Sequence, residues 1–347
     1  MAPLTGLPML LLLLSAMAVA SHAMTAEDIL PQPTLCPSPP FDDTSDTYTS
    51  NVRKAIGSFH QNLSKGQAAA NGPLFAPDLN WNYDGNMIMS SSAAVTALST
   101  VVSTSFKGVQ APDYYLLVDG SVGASLFGLQ GKQTGPFAGL PLQAGGNFNA
   151  RAAERFVFNA NAQARDLTTV SQTGTIRAQM SKEIAVPPIA GPAEPAPNPQ
   201  TDSCFRAQLR RTISQLHENA NAGNASGNAA FAVEDVQVDE NGDLAKGRDA
   251  FVNVVAGLSA GRGAFPEKVF HDANVLADGR LGAVEYAWQG TQKKEYLGVP
   301  ANGAEVRMRG MLFFEFSDQS LVTKVVSIFD EFVLTTQLQG KGGYLYP

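Results

Sequence analysis

The sequence predicts an α+β protein made of two tandem units, each placing its helices first and a curved antiparallel sheet after them. Three observations carry this: a residue pattern that occurs twice at a near-constant spacing, a switch within each copy from helical to strand periodicity, and a proline-rich stretch that parts the copies.

The repeat comes first because it sets the architecture. Ile56, Phe59, His60 and Asn62 lead to Gly66, and Ile213, Leu216, His217 and Asn219 lead to Gly223, an offset of 157. Farther along, Asp119-Gly120-Ser121-Val122-Gly123-Ala124 matches Asp278-Gly279-Arg280-Leu281-Gly282-Ala283 at an offset of 159. Gln130-Gly131 and Gly139-Leu140-Pro141 find Gln289-Gly290 and Gly298-Val299-Pro300 in that register. Offsets that hold within two residues over so long a stretch argue for duplication, because chance matches scatter.

Each copy opens with a helix, from Val52, Ile56, Phe59 and Leu63 in the first and Phe205, Leu209, Ile213, Leu216 and Ala220 in the second, all at helical spacing. A second helix follows from Val95, Leu98, Val101 and Val102, and from Phe251, Val254, Val255 and Leu258. Strands are expected at Gly282 to Trp288, Val306 to Phe316 and Val322 to Leu334, punctuated by the Asp278-Gly279 and Ser317-Asp318 turns. Six prolines between residues 181 and 203 read as a semi-rigid extended linker. The expected plan is a signal peptide (1–23), a Pro-rich segment (24–49), a first domain (50–180), the linker (181–203), a second domain (204–340) and a tail (341–347).

The first 23 residues hold no Lys, Arg, Asp or Glu, and the apolar run Leu10 to Ala20 ends in small residues, as a secretory signal does. The run is shorter than the roughly 20 residues that a membrane-spanning helix needs. Secretion is therefore expected, with no membrane attachment after signal removal. Asn62 and Asn224 stand in sequons and are expected glycan acceptors, and an oxidising compartment favours a Cys36–Cys204 disulfide. A net charge of -7 repels nucleic acid and anionic membranes, so neither is an expected partner. There is no phosphate-cradling loop and no dinucleotide fingerprint, and the expectation is no cofactor and no metal. Asp239-Glu240-Asn241-Gly242-Asp243 imitates a calcium loop but lacks its glycine and closing glutamate, so it reads as a turn. Gly257-Leu258-Ser259-Ala260-Gly261 has the spacing of a hydrolase nucleophile elbow, yet it follows a helix instead of a strand and reads as a helix end.

Ala277-Asp278-Gly279, Gly290-Thr291, Tyr296-Leu297-Gly298-Val299-Pro300, Gly303, Phe329-Asp330 and Gln337-Leu338 together resemble the SnoaL-like polyketide cyclases of the nuclear transport factor two superfamily. The likeness spans about 205 to 340 and extends more weakly to about 50 to 180. It implies two cone-shaped domains, each open at one end to a small apolar or polyketide-like molecule, packed back to back as an intramolecular pseudo-dimer. It also implies an acid–base residue on the last strand, a position held by Asp330 and, in the first copy, by Gln172. The family's Gly-Thr-His triplet reads Gly290-Thr291-Gln292 here, which leaves Gln292 where an imidazole often stands.

Asp330 is the candidate catalytic residue because strand alternation places its carboxylate on the face of Ile328 and Val326, where partial burial would raise its pKa. Tyr286 and Trp288, on one strand face, are candidate walls for a flat ligand; Gln292 and His217 complete the substrate-binding set. The bland alternatives are an Asp330 that is solvated or hydrogen-bonded at the strand end, core aromatics, and structural histidines at His217 and His60. Arg309 and Glu315 read as rim or interface charges. The expected function is a small-molecule binder, with cofactor-free cyclase, isomerase or hydratase chemistry at Asp330; the alternative is a non-catalytic binding or interaction module.

Overall fold

The computed structural model of the chain describes residues 46–83, 86–89, 91–135, 146–180, 185–186, 203–257, 263–296 and 298–340. The signal peptide, most of the Pro-rich segment, Cys36, nearly all of the linker, Leu258 to Gly261, Gly139 to Pro141 and the tail lie outside them.

The first unit runs α1 (Asp46–Ser64), a 3-10 turn (Ala68–Leu74), β1 (Phe75–Tyr83), β2 (Asn86–Met89), α2 (Ser92–Ser105), β3 (Phe106–Gln110), β4 (Asp113–Asp119), β5 (Val122–Gln133), β6 (Asn147–Phe158), β7 (Ala164–Ser171) and α3 (Thr173–Met180). The second repeats the order with one strand, β10, where the first has β3 and β4: α4 (Ser203–Asn221), a 3-10 turn (Ala225–Phe231), β8 (Ala232–Glu240), β9 (Asp243–Lys246), α5 (Arg248–Val255), β10 (Val269–Asp278), β11 (Leu281–Thr291), β12 (Glu305–Phe316), β13 (Val322–Phe329) and α6 (Glu331–Leu338).

The strand orders β2-β1-β7-β6-β5 and β9-β8-β13-β12-β11 coincide element by element, with β4 and β10 pairing outside β5 and β11. The expected antiparallel sheets are in fact mixed: β1 runs parallel to β7 and β8 parallel to β13. A parallel neighbour requires a long crossover. Here the remaining strands supply it, which periodicity cannot reveal.

Each opening helix lies in the concave side of its sheet, and a glycine at equivalent positions permits the approach. A Cβ on Gly123 would stand 2.6 Å from Ile56 Cδ1, and one on Gly282 would stand 2.5 Å from Ile213 Cδ1. The hairpin glycines Gly120 and Gly279 take φ of +63° and +60°, the left-handed region that favours glycine.

The convex faces meet. Tyr115, Leu117 and Leu126 of the first unit share one buried cluster with Met311, Phe313 and Ile328 of the second. This explains why β12 is apolar on both faces: one side closes its own cone and the other closes the junction. Burying both faces removes apolar surface from water, worth about 25 cal/mol per Å². Charges ring the contact, with Arg155 Nε 2.7 Å from Glu285 Oε2, Arg151 Nη1 2.7 Å from Asp239 Oδ1, and Tyr115 donating to Glu315 at 2.5 Å. Glu315 and Arg309 are thus interface groups, Arg309 donating to Asn82 of the first unit at 3.0 Å.

Candidate functional site

The last strand is shorter than its sequence pattern predicts. It stops at Phe329, and Val322–Leu334 divides into β13 and α6 because Asp330 caps a helix there. Oδ1 of Asp330 accepts from the backbone N–H of Phe332 at 2.9 Å and of Val333 at 3.4 Å, and Oδ2 accepts from Gly174 N of the first unit at 3.1 Å. The residue remains on the face of Val326 and Ile328, as alternation requires, but that face is the junction between units. Burial pushes its carboxyl up to about 6 despite the three N–H bonds, which act in the opposite direction.

A pocket of about 430 Å³ opens beside it, lined by His271, Trp288, Arg307, Arg309, Asp330 and Gln337 among others. Gln337 of α6 holds the end of β12 by accepting from Arg307 N at 2.8 Å and donating to Arg307 O at 2.9 Å. The structure therefore brings Asp330 and Trp288 to one pocket.

Tyr286 and His217 lie elsewhere, inside the second cone. Tyr286 sits 5.3 Å from His217, ring centroid to ring centroid, and Phe270 stacks on the same imidazole at 4.5 Å. Trp288 joins this interior through Phe265 at 5.1 Å. Gly310 opposite Tyr286 makes the room, since a Cβ there would stand 2.4 Å from the phenol oxygen. Burial raises the pKa of the Tyr286 hydroxyl and keeps it protonated. His217 Nδ1 is hydrogen-bonded to Asp272, a partner that the sequence reading missed. The repeat contained the signal: Asp272 stands 159 residues after Asp113, which holds His60 in the first unit.

Gln292 faces neither group. Its Nε2 donates to Val299 O at 2.9 Å and its Oε1 accepts from Asn302 N at 3.3 Å, so it ties down the Gly298-Val299-Pro300 loop. Asn62 is inside α1 and its amide donates to Asn71 at 2.9 Å, whereas Asn224 is half-buried in a turn after α4. Cys204 lies in the first turn of α4. Asp239 binds Arg151 and Gly242 N, so its segment is a turn, as its sequence indicates. Among the described residues no cluster of three or more metal-ligating side chains occurs.

The first cone holds a chain of buried polar groups. His60 lies between Asp113 Oδ1 at 2.6 Å and Glu154 Oε2 at 3.0 Å; Thr169 donates to Glu154 at 2.9 Å and Trp81 donates to Thr169 at 2.9 Å. Burial opposes a charged imidazole, yet the two carboxylates outweigh it and raise His60 to about 9. Glu154, the single acid of β6 and next to Arg155, is a partner that the sequence reading missed.

Helices inside a curled mixed sheet, with an aromatic interior and an adjoining pocket, make an α+β cone domain. Residues 210–338, within the second unit, match the model of the SnoaL-like polyketide cyclase family. Among solved structures, a protein of Jannaschia sp. CCS1 assigned as a SnoaL-like polyketide cyclase is 20% identical, covering 40% of this chain and 96% of its own, with a TM-score of 0.36. A protein of Xanthomonas campestris pv. campestris assigned as a polyketide cyclase is 24% identical, covering 39% of this chain and 98% of its own, at 0.35. TsrD of Streptomyces laurentii is 14% identical, covering 42% and 100%, at 0.35. No curated protein matches the chain.

Proposed function

We propose that this is a secreted protein whose second unit binds a small, largely apolar molecule, with the first unit as its scaffold in an intramolecular pseudo-dimer that arose by tandem duplication. The observation that carries the reading is the position of Trp288. It belongs to the aromatic interior of the second cone and is also among the residues lining the pocket beside Asp330, which supports a ligand that contacts its ring. The uncharged apolar leader supports export, and the oxidising compartment that export implies would favour pairing Cys36 with Cys204.

Asp330, raised to about 6 in that pocket, is the group placed to exchange a proton there as a cyclase, isomerase or hydratase requires. Its three backbone N–H bonds favour a second reading, in which Asp330 is a helix cap and the pocket binds without chemistry at this residue. The test is mass spectrometry of the chain purified from its own source. A small molecule should accompany the wild type and be lost from Trp288→Ala; turnover of that molecule unchanged in Asp330→Asn leaves the cap reading, and an empty wild-type chain overturns both.

A further inference from the structure

Nε2 of His217 is buried and lacks a hydrogen-bond partner among the described residues. A buried polar atom left unpaired is destabilising, so its retention calls for a reason. The other nitrogen lies against Asp272. That carboxylate places the ring proton on Nδ1 and leaves the lone pair on Nε2, among the rings of Phe270 and Tyr286.

The first unit serves as an internal comparison. His60 has the matching carboxylate, Asp113, and a second one, Glu154, on the nitrogen that His217 leaves bare. Glu154 lies opposite Ser125 on β5, and the residue opposite Val284 at the equivalent place on β11 is Leu312. One cone supplies its own oxyanion to the imidazole; the other has an apolar side chain at that position.

We propose that His217, oriented by Asp272, is the proton acceptor of the second unit for a ligand bearing a weakly acidic hydroxyl, and that Glu154 fills the corresponding place in the first unit and closes it to such a ligand. This rests on the reading that the second unit binds a small, largely apolar molecule. The ligand O–H bond breaks, its proton goes to Nε2, and the electron pair stays on the ligand oxygen. The imidazolium then donates to that oxyanion as His60 donates to Glu154, while Asp272 balances the charge.

The experiment compares 2-naphthol with naphthalene, two rings of one shape that differ by the hydroxyl, on the full chain. Wild type should bind the naphthol about tenfold more tightly, the ratio that one extra hydrogen bond of about 1.4 kcal/mol gives, and should show the absorption of bound naphtholate. His217→Asn should lose the preference and the naphtholate signal while keeping its naphthalene affinity, and Leu312→Glu should lose the preference likewise. Equal affinities in wild type, or a preference that survives His217→Asn, overturn the inference alone; failure of both probes to bind wild type overturns the binding reading together with it. A preference lost in Asp330→Asn and kept in His217→Asn assigns the proton to Asp330 instead.

Discussion

Asp119 and Asp278 clasp the two units reciprocally: Oδ2 of Asp278 accepts from Val118 N at 2.9 Å, and Oδ2 of Asp119 accepts from Ala277 N at 2.9 Å. Each is also paired with an arginine of the other unit's opening helix, Arg53 with Asp278 and Arg210 with Asp119, both at 2.5 Å. The two contacts run in opposite directions between residues that match in the sequence repeat. Asp119→Ala and Asp278→Ala should each lower the unfolding free energy by about 2 kcal/mol, the range for hydrogen bonds to a charged group, as read from urea denaturation. Wild-type stability in both would mean that the clasp contributes nothing.

His60 makes stability depend on pH in a definite direction. Its folded pKa of about 9 lies above the ordinary 6.5. The stabilisation is therefore complete below about pH 6.5 and disappears as pH rises through 9. Its size is about 3 kcal/mol, from the shift alone. Glu154→Gln should shrink the loss between pH 6.5 and 9; an identical slope in wild type and variant contradicts the buried ion pair.

Asp330 acts in an acidic window with the opposite consequence near neutrality. Its carboxyl is raised from 3.8 to about 6, so the folded state favours the protonated form. That stabilisation is complete below pH 3.8 and is lost as pH climbs through 6, on the order of 3 kcal/mol. Asp330→Asn should remove this fall in stability, followed by thermal denaturation from pH 4 to 8. A slope that survives would assign it to another group.

Gly174 fixes how the two C-terminal helices meet. A Cβ there would stand 1.8 Å from Phe332 Cβ and 3.0 Å from Asp330 Oδ1. Gly174→Ala should cost about 3 kcal/mol through overpacking at this contact. Unchanged stability would show that α3 and α6 slide freely past each other.

Of the two sequons, only Asn224 should carry sugar in a eukaryotic secretory host, because the Asn62 amide is engaged with Asn71 within a helix. Peptide mapping after glycosidase treatment reads this directly, and a glycan at Asn62 would contradict the folded geometry.

The helices and the long strands were legible because they rest on periodicity: Leu209, Ile213 and Leu216 all face the core. The parallel β8–β13 pair was not, since pairing direction is a tertiary choice. At the site, strand alternation placed Asp330 on the face of Val326 and Ile328 but could not say that the face belongs to the junction, or that the strand would end at Phe329 and give way to a helix capped by Asp330. Asp272 and Glu154 escaped notice for a related reason. Their roles depend on contacts across 55 and 94 residues of chain, and only the register of the repeat ties the first of them to its histidine.

If one cone of the two receives the ligand, titration of the full chain with naphthalene should give one molecule per chain, weakened about tenfold by Trp288→Ala through loss of aromatic contact and unaffected by Trp81→Phe in the other unit. Two molecules per chain, or a dependence on Trp81 in place of Trp288, would contradict it.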